Sequence, residues 1–166
     1  MILPRLAAVA ACLATAVACG GGDTSSQPTT APPTTTSALT KEAFVAAVNA
    51  TCKKALTEAQ DVGDPSTAAE YVAGTEKYIG ILEEGQRELR ALEPPADAKA
   101  KYVEFVAAND EQIQLLRDLL PTIQAAAAKN DEAAVEAEFG AAFTEFNAIA
   151  EKQAPWANSY ELTECT

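Results

Sequence analysis

Few side chains in this sequence are equipped for chemistry, and their types narrow the options before any element is placed. Histidine is absent from all 166 residues. That removes the commonest general base and metal ligand, and with it Ser-His-Asp and Cys-His nucleophile systems, His-containing zinc sites and Glu-x-x-His di-iron bundles. Four cysteines remain, Cys12, Cys19, Cys52 and Cys165, beside 24 Asp and Glu against 12 Lys and Arg. No Cys-x-x-Cys pair, the arrangement that lowers a thiol pKa for redox work, is present. Glu83, Glu84 and Glu88 cluster acids, but the Asp-x-Asp-x-Asp-Gly loop that marks a calcium site is missing. Paired carboxylates can act as acid and base in glycoside hydrolysis, although acids this dense on helical surfaces make pairs by chance. The expectation is a non-catalytic protein without cofactor or metal. A carboxylate-based hydrolase is the alternative from the enzyme class.

The cysteines fall in different parts of the chain. Arg5 precedes an apolar run, Leu6 to Ala18, interrupted only by Cys12 and Thr15. The run has the length of a secretory signal core and falls short of the roughly 20 residues that a membrane span needs. It ends in Ala16-Val17-Ala18-Cys19-Gly20, which resembles the lipobox of bacterial lipoproteins, where the cysteine is lipidated and becomes the new N-terminus. Val9-Ala10-Ala11-Cys12 fits the first position of that box better, but it leaves a signal core of only about six residues, below the minimum of roughly seven. Cys19 is therefore the expected lipid attachment site, with residues 1–18 as signal peptide. Each buried acyl methylene contributes about 0.8 kcal/mol, so several chains on one cysteine make a permanent anchor. Residues 19–40 are the lipidated cysteine and a Gly, Ser, Thr and Pro tether that cannot bury a core. Stretched, it reaches roughly 65 Å, and as a coil about 25 Å. The expected location is the extracytoplasmic face of the cell membrane, which the protein meets through its lipid.

Residues 41–166 form the expected folded domain. Four helical stretches can be read in it, and no strand pattern competes. Thr40 caps the first, which carries Phe44, Val48, Cys52, Ala55 and Ala59 on one face and stops near Gly63-Asp64-Pro65. The second starts after Pro65-Ser66, aligns Val72, Thr75, Ile79, Leu82, Gln86 and Leu89, and ends at Glu93-Pro94-Pro95. The third places Tyr102, Phe105, Val106, Asn109, Ile113, Leu116, Leu120 and Ile123 on one stripe, with Pro121 predicted to kink or end it. The fourth begins at Asn130-Asp131, aligns Val135, Phe139, Ala142, Phe143, Phe146 and Ile149, and is predicted to end at Pro155. Short turns between amphipathic helices favour an all-α antiparallel four-helix bundle with the C-terminal tail packed back on it. Alanine supplies nearly half of the apolar residues, so the core is lean.

Cys52 and Cys165 are the two cysteines left for this domain. In an oxidising compartment an even pair reads as a disulfide, here with no alternative connectivity. It tethers the tail and pulls Trp156, Tyr160 and Leu162 onto the first helix. Arg5 and Asp23 cancel, so the whole formal charge of −12 falls on residues 41–166. No basic stripe exists to replace phosphate counterions, and nucleic acid is excluded as a partner. Asn49-Ala50-Thr51 matches a glycosylation sequon, read here as chance.

Two features point to a ligand. Asn109 falls inside the apolar stripe of the third helix, where an unpaired amide costs about 1–3 kcal/mol. Either it sets register by bonding Thr75 or a tyrosine hydroxyl, or it is a handle for a ligand. Gly74 and Gly85 share a stripe of the second helix, at about 1 kcal/mol each against alanine. They serve close helix packing or floor a shallow apolar groove. Together these residues suggest a pocket lined by Tyr71, Tyr78, Tyr102, Phe105 and Asn109 for a small apolar molecule.

The lipobox, the Thr/Pro tether, the helix Phe44-Val45-Ala46-Ala47-Val48-Asn49-Ala50-Thr51-Cys52, the central Leu89-Arg90-Ala91-Leu92-Glu93-Pro94-Pro95-Ala96 and the terminal Tyr160-Glu161-Leu162-Thr163-Glu164-Cys165 resemble small secreted lipoproteins of actinobacteria, mostly of uncharacterised function. The resemblance covers nearly the whole chain and implies an anchor, a turn and a staple, but no activity. Many such proteins carry Gly-Leu before the last cysteine, where this chain has Glu161-Leu162. The expected function is binding of an envelope protein or a small ligand, with carriage of a small apolar ligand in a bundle cavity as the closest alternative.

Overall fold

The structure, a computed structural model, describes residues 38–166. The signal run, Cys12, Cys19 and the tether up to residue 37 lie outside the described residues. Four helices follow one another, α1 (Lys41–Gln60), α2 (Ala68–Arg90), α3 (Lys99–Ala127) and α4 (Glu132–Ser159), and the chain closes with a 3-10 turn, Thr163–Cys165. The described residues contain no strand. Neighbouring helices run antiparallel: Lys54 pairs with Glu88, Glu83 with Arg117, and Gln112 bonds the Phe146 carbonyl.

The start signals act through the backbone N–H groups that a helix leaves unpaired. The Thr40 hydroxyl accepts from the Ala43 N–H, and Asp131 accepts from the Ala134 N–H. At α2 a capping box forms, in which the Thr67 hydroxyl accepts from the Glu70 N–H while the Glu70 carboxylate accepts from the Ser66 and Thr67 N–H groups.

Neither helix-internal proline ends its helix, which overturns the expected stop at Pro155 and, of the two outcomes expected at Pro121, the stop. α3 continues past Pro121 to Ala127, and α4 past Pro155 to Ser159. Each proline sits on an exposed face, where water can take up the carbonyl that loses its partner. The turns beyond them bury Ile123 on α3 and Ala157 on α4 completely or nearly so. Burial of those turns outweighs one lost hydrogen bond.

The core is split. One cluster joins Phe44 and Val48 of α1 to Leu89, Tyr102, Phe105, Ala157, Tyr160 and Leu162. The other holds Ile79, Leu116, Leu119, Ile123, Val135 and Phe146, and takes no buried residue from α1. Beyond Thr51 the exposed side of α1 even includes Leu56, half accessible to solvent. α1 packs against α2 and against the tail, but none of its Cα atoms comes within 8 Å of α4.

The tail is what seats α1. Cys52 and Cys165 are disulfide-bonded with Cα atoms 5.2 Å apart, and Leu162 is fully buried. Asn49 clamps the turn from both sides, its amide donating to the Glu161 carbonyl at 2.9 Å and accepting from the Glu164 N–H at 3.1 Å. α4 ends in a Schellman motif, since the Leu162 N–H bonds the Ala157 carbonyl and the Glu161 N–H the Asn158 carbonyl. The motif puts Glu161 at φ 66°, a left-handed conformation suited to glycine. Glu161→Gly should raise the unfolding free energy by about 1 kcal/mol, read as a higher urea midpoint at unchanged slope.

Candidate functional site

Between α1 and α4 lies a cavity of about 380 Å³. It occupies the space between the two core clusters, bounded by Phe105 and Leu89 of the first and Phe146 of the second. Small side chains keep it open: Ala55 and Ala59 on α1 face Ala150 and Ala154 on α4, and Gly85 lies on the α2 side. The Cys52–Cys165 disulfide and Thr166 close one end. A lean composition thus becomes a volume, because alanines on two facing helices cannot fill the gap that their backbones leave.

The five residues expected to share one pocket are divided among three places. Tyr78, Phe105 and Asn109 line the cavity. Tyr71 lies at a second hollow of about 380 Å³ beside the α1–α2 turn, and Tyr78 lines that one too. Tyr102 is a core residue, with its ring edge-on to Phe44 at 4.8 Å and its hydroxyl donating to the Leu89 carbonyl at 2.8 Å. Burial pushes the pKa of the Tyr102 hydroxyl well up, and that of Tyr78 in the same direction. Tyr102 is on the buried face of α3 as expected, but at the level of Phe44, before the cavity-lining Phe105, Ala108, Asn109 and Gln112.

The buried face of α3 takes in Ala108 and Gln112, which leaves Asn109 half-buried on the cavity wall. The register contacts expected for it are spent elsewhere. Thr75 donates to the Tyr71 carbonyl in its own helix at 2.7 Å, and Tyr102 to Leu89. The buried amides are instead Gln112, which donates to the Phe146 carbonyl at 3.0 Å, and Gln86. Gln86 is 6% exposed. Its nitrogen donates to the Val106 carbonyl and the Asp110 carboxylate, both at 2.7 Å. Two acceptors fix which end of the amide is nitrogen, and the other end, Oε1, is buried with no partner. Gln86 was visible as a polar residue on the α2 stripe. Its orphaned oxygen was not.

Neither glycine is demanded by a clash. A methyl at Gly74 would meet Val62 Cγ1 at 3.4 Å, the tight edge of ordinary contact. At Gly85 a methyl would make ordinary contacts, 3.8 Å to Ala55 and 3.9 Å to Thr51, so packing alone does not demand glycine there.

The acid cluster of α2 stands outside this cavity. Glu84 and Glu88 share Lys54, Glu84 also meets Arg87, and Glu83 holds Arg117. Hydrogen bonds from Lys54 and then Thr51 hold the Glu88 carboxyl below the usual carboxylate range, and the same contact with Glu88 raises Lys54. Of the residues lining the cavity, Glu164 alone is charged. Among the described residues no group of three or more Cys, Asp and Glu is placed to hold a metal ion, and no helix is long and apolar enough to cross a membrane.

Comparison with protein-family models, with curated proteins and with solved structures finds no match to the chain.

Two outcomes test this site's construction. Removing the disulfide, by reduction or by the pair Cys52→Ala and Cys165→Ala, frees a separation of 113 residues and should lower the unfolding free energy by roughly 4–5 kcal/mol in urea titrations. Because the Glu88 pKa is lower in the folded state, its stabilisation is present above pH 4.5, the ordinary value, and is lost as pH falls through the folded value. Glu88→Gln should therefore show a flatter acid limb of stability than the parent.

Proposed function

We propose that the protein is a lipid-anchored, non-catalytic binding module of the cell envelope. Its folded domain is held off the extracytoplasmic face of the membrane by Cys19 and the Thr/Pro tether, and takes a small, mainly apolar ligand between α1 and α4. The observation that carries the reading is the cavity of about 380 Å³. It lies within the range of small-molecule sites and has their make-up of apolar walls with a few amides. The disulfide at its end supports export to an oxidising compartment.

Ligand binding fits the cavity better than hydrolysis does. Acid–base hydrolysis needs two facing carboxylates on the substrate cleft, whereas Glu164 is the one acidic side chain on the cavity wall and Glu83, Glu84 and Glu88 of α2 are committed to ion pairs. A protein partner would use exposed apolar surface, and Leu56 and Phe143 supply some of it, at 51% and 42% exposure.

Native mass spectrometry of the full-length protein purified from its own host tests the proposal. A co-purifying small mass that is released with the fold predicts a carrier. A stoichiometric second polypeptide in its place would make the protein-partner reading correct.

A further inference from the structure

Two cavities, one junction and one row of side chains belong together. The cavity beside the disulfide and the hollow beside the α1–α2 turn share Ala59 and Tyr78 as walls. Along α4 their combined lining runs from Phe139 to Ala157, about 27 Å of helix. Both lie on the seam where α1 fails to reach α4. Among the described residues three large apolar side chains are exposed, and two of them, Leu56 on α1 and Phe143 on α4, edge this seam from opposite sides.

Both ends of the seam are mainly apolar, but its Asn and Gln side chains gather at one of them. At the disulfide end the walls carry the amides of Asn109, Asn147 and Gln153, and Gln86 with its unpartnered, buried oxygen. At the other end they carry Val62, Pro65, Leu116, Phe139 and Phe143. The charged residues on the walls are Glu164 and Asp64, one at each end, both acidic. Resting on the binding function above, we infer that the seam is one groove for a single-chain amphiphile. An uncharged head with a hydrogen-bond donor lies at the amide end, and the chain runs past Tyr78 toward Phe139. An anionic head is disfavoured, because no wall residue is cationic and the domain is strongly acidic. The Gln86 carbonyl oxygen lacks a donor, and a hydroxyl or N–H from the head group supplies one.

The test is isothermal titration of the chain from residue 19 onward, oxidised, with Cys19→Ser so that no acyl chain of its own competes. The probes are hexanol, octanol, decanol, dodecanol and decanoate. Each methylene entering the groove should tighten binding roughly fourfold, so affinity climbs along the alcohols, with decanoate at least tenfold weaker than decanol. Ala59→Phe fills the junction and should leave hexanol affinity unchanged while abolishing the gain from decanol to dodecanol. Gln86→Met should weaken every alcohol about tenfold, with the thermal midpoint unchanged or raised. Should Ala59→Phe fail to fold, the alcohol series on the parent still decides. Equal affinity for hexanol and dodecanol would overturn the single groove and leave the binding function standing. Decanoate binding as tightly as decanol would overturn the neutral head. Binding of none of the probes would overturn both the groove and the function on which it rests, and uptake only by a dimer would assign the seam to a second copy of the chain.

Discussion

The attachment of α1 depends on a segment that is not a helix of the bundle. Three of the four seams expected of such a bundle are formed by helix on helix, while the fourth is spanned by the disulfide, the buried Leu162 and the two-sided Asn49 clamp. Phe44 and Val48 are buried because the tail lies over them. If that contact is lost, α1 keeps its packing on α2, but one core cluster loses a wall. The spacing between α1 and α4, and hence the volume between them, follows from the same contact.

A chain rich in alanine can treat the shortage of large side chains in two ways: bring backbones closer, or leave space. This one does both. α1 lies close to α2 at Gly85, where a methyl would already touch Ala55 and Thr51, whereas Ala55, Ala59, Ala150 and Ala154 line a space toward α4 that the tail holds open. Interiors pack at nearly crystalline density, so a gap of this size next to two well-packed clusters is a local property of the seam and not a general looseness.

Much of the architecture was legible because it rests on local rules. The caps at Thr40 and Asp131, the stop at Gly63 and the pairing of Cys52 with Cys165 each follow from residue type and short-range geometry. The prolines misled because their effect depends on which face they occupy, a tertiary fact: on an exposed face Pro121 and Pro155 interrupt one bond and the helix goes on. The site was legible only in part. Tyr78, Phe105 and Asn109 reach the cavity, while Tyr102 stacks on Phe105 from inside the core and Tyr71 joins Tyr78 at the neighbouring hollow; a stripe drawn along one helix does not show at which level a space opens between two others. Asn49, dismissed as a chance sequon, clamps the tail, and nothing within its own helix announces a partner at Glu161 and Glu164. Nor does the residue type at Glu161 announce its left-handed backbone, which the Schellman turn after α4 imposes.

The disulfide has one more consequence, for a chain exposed to proteases. All three inter-helix turns, at residues 61–67, 91–98 and 128–131, lie inside the covalent loop that Cys52 and Cys165 close. A cut in any one of them leaves two fragments that are still joined, with each helix still beside its neighbours. Nicking therefore does not release a piece of the domain: the cut protein remains one molecule until the bond is reduced, and only then can α1 part from the rest.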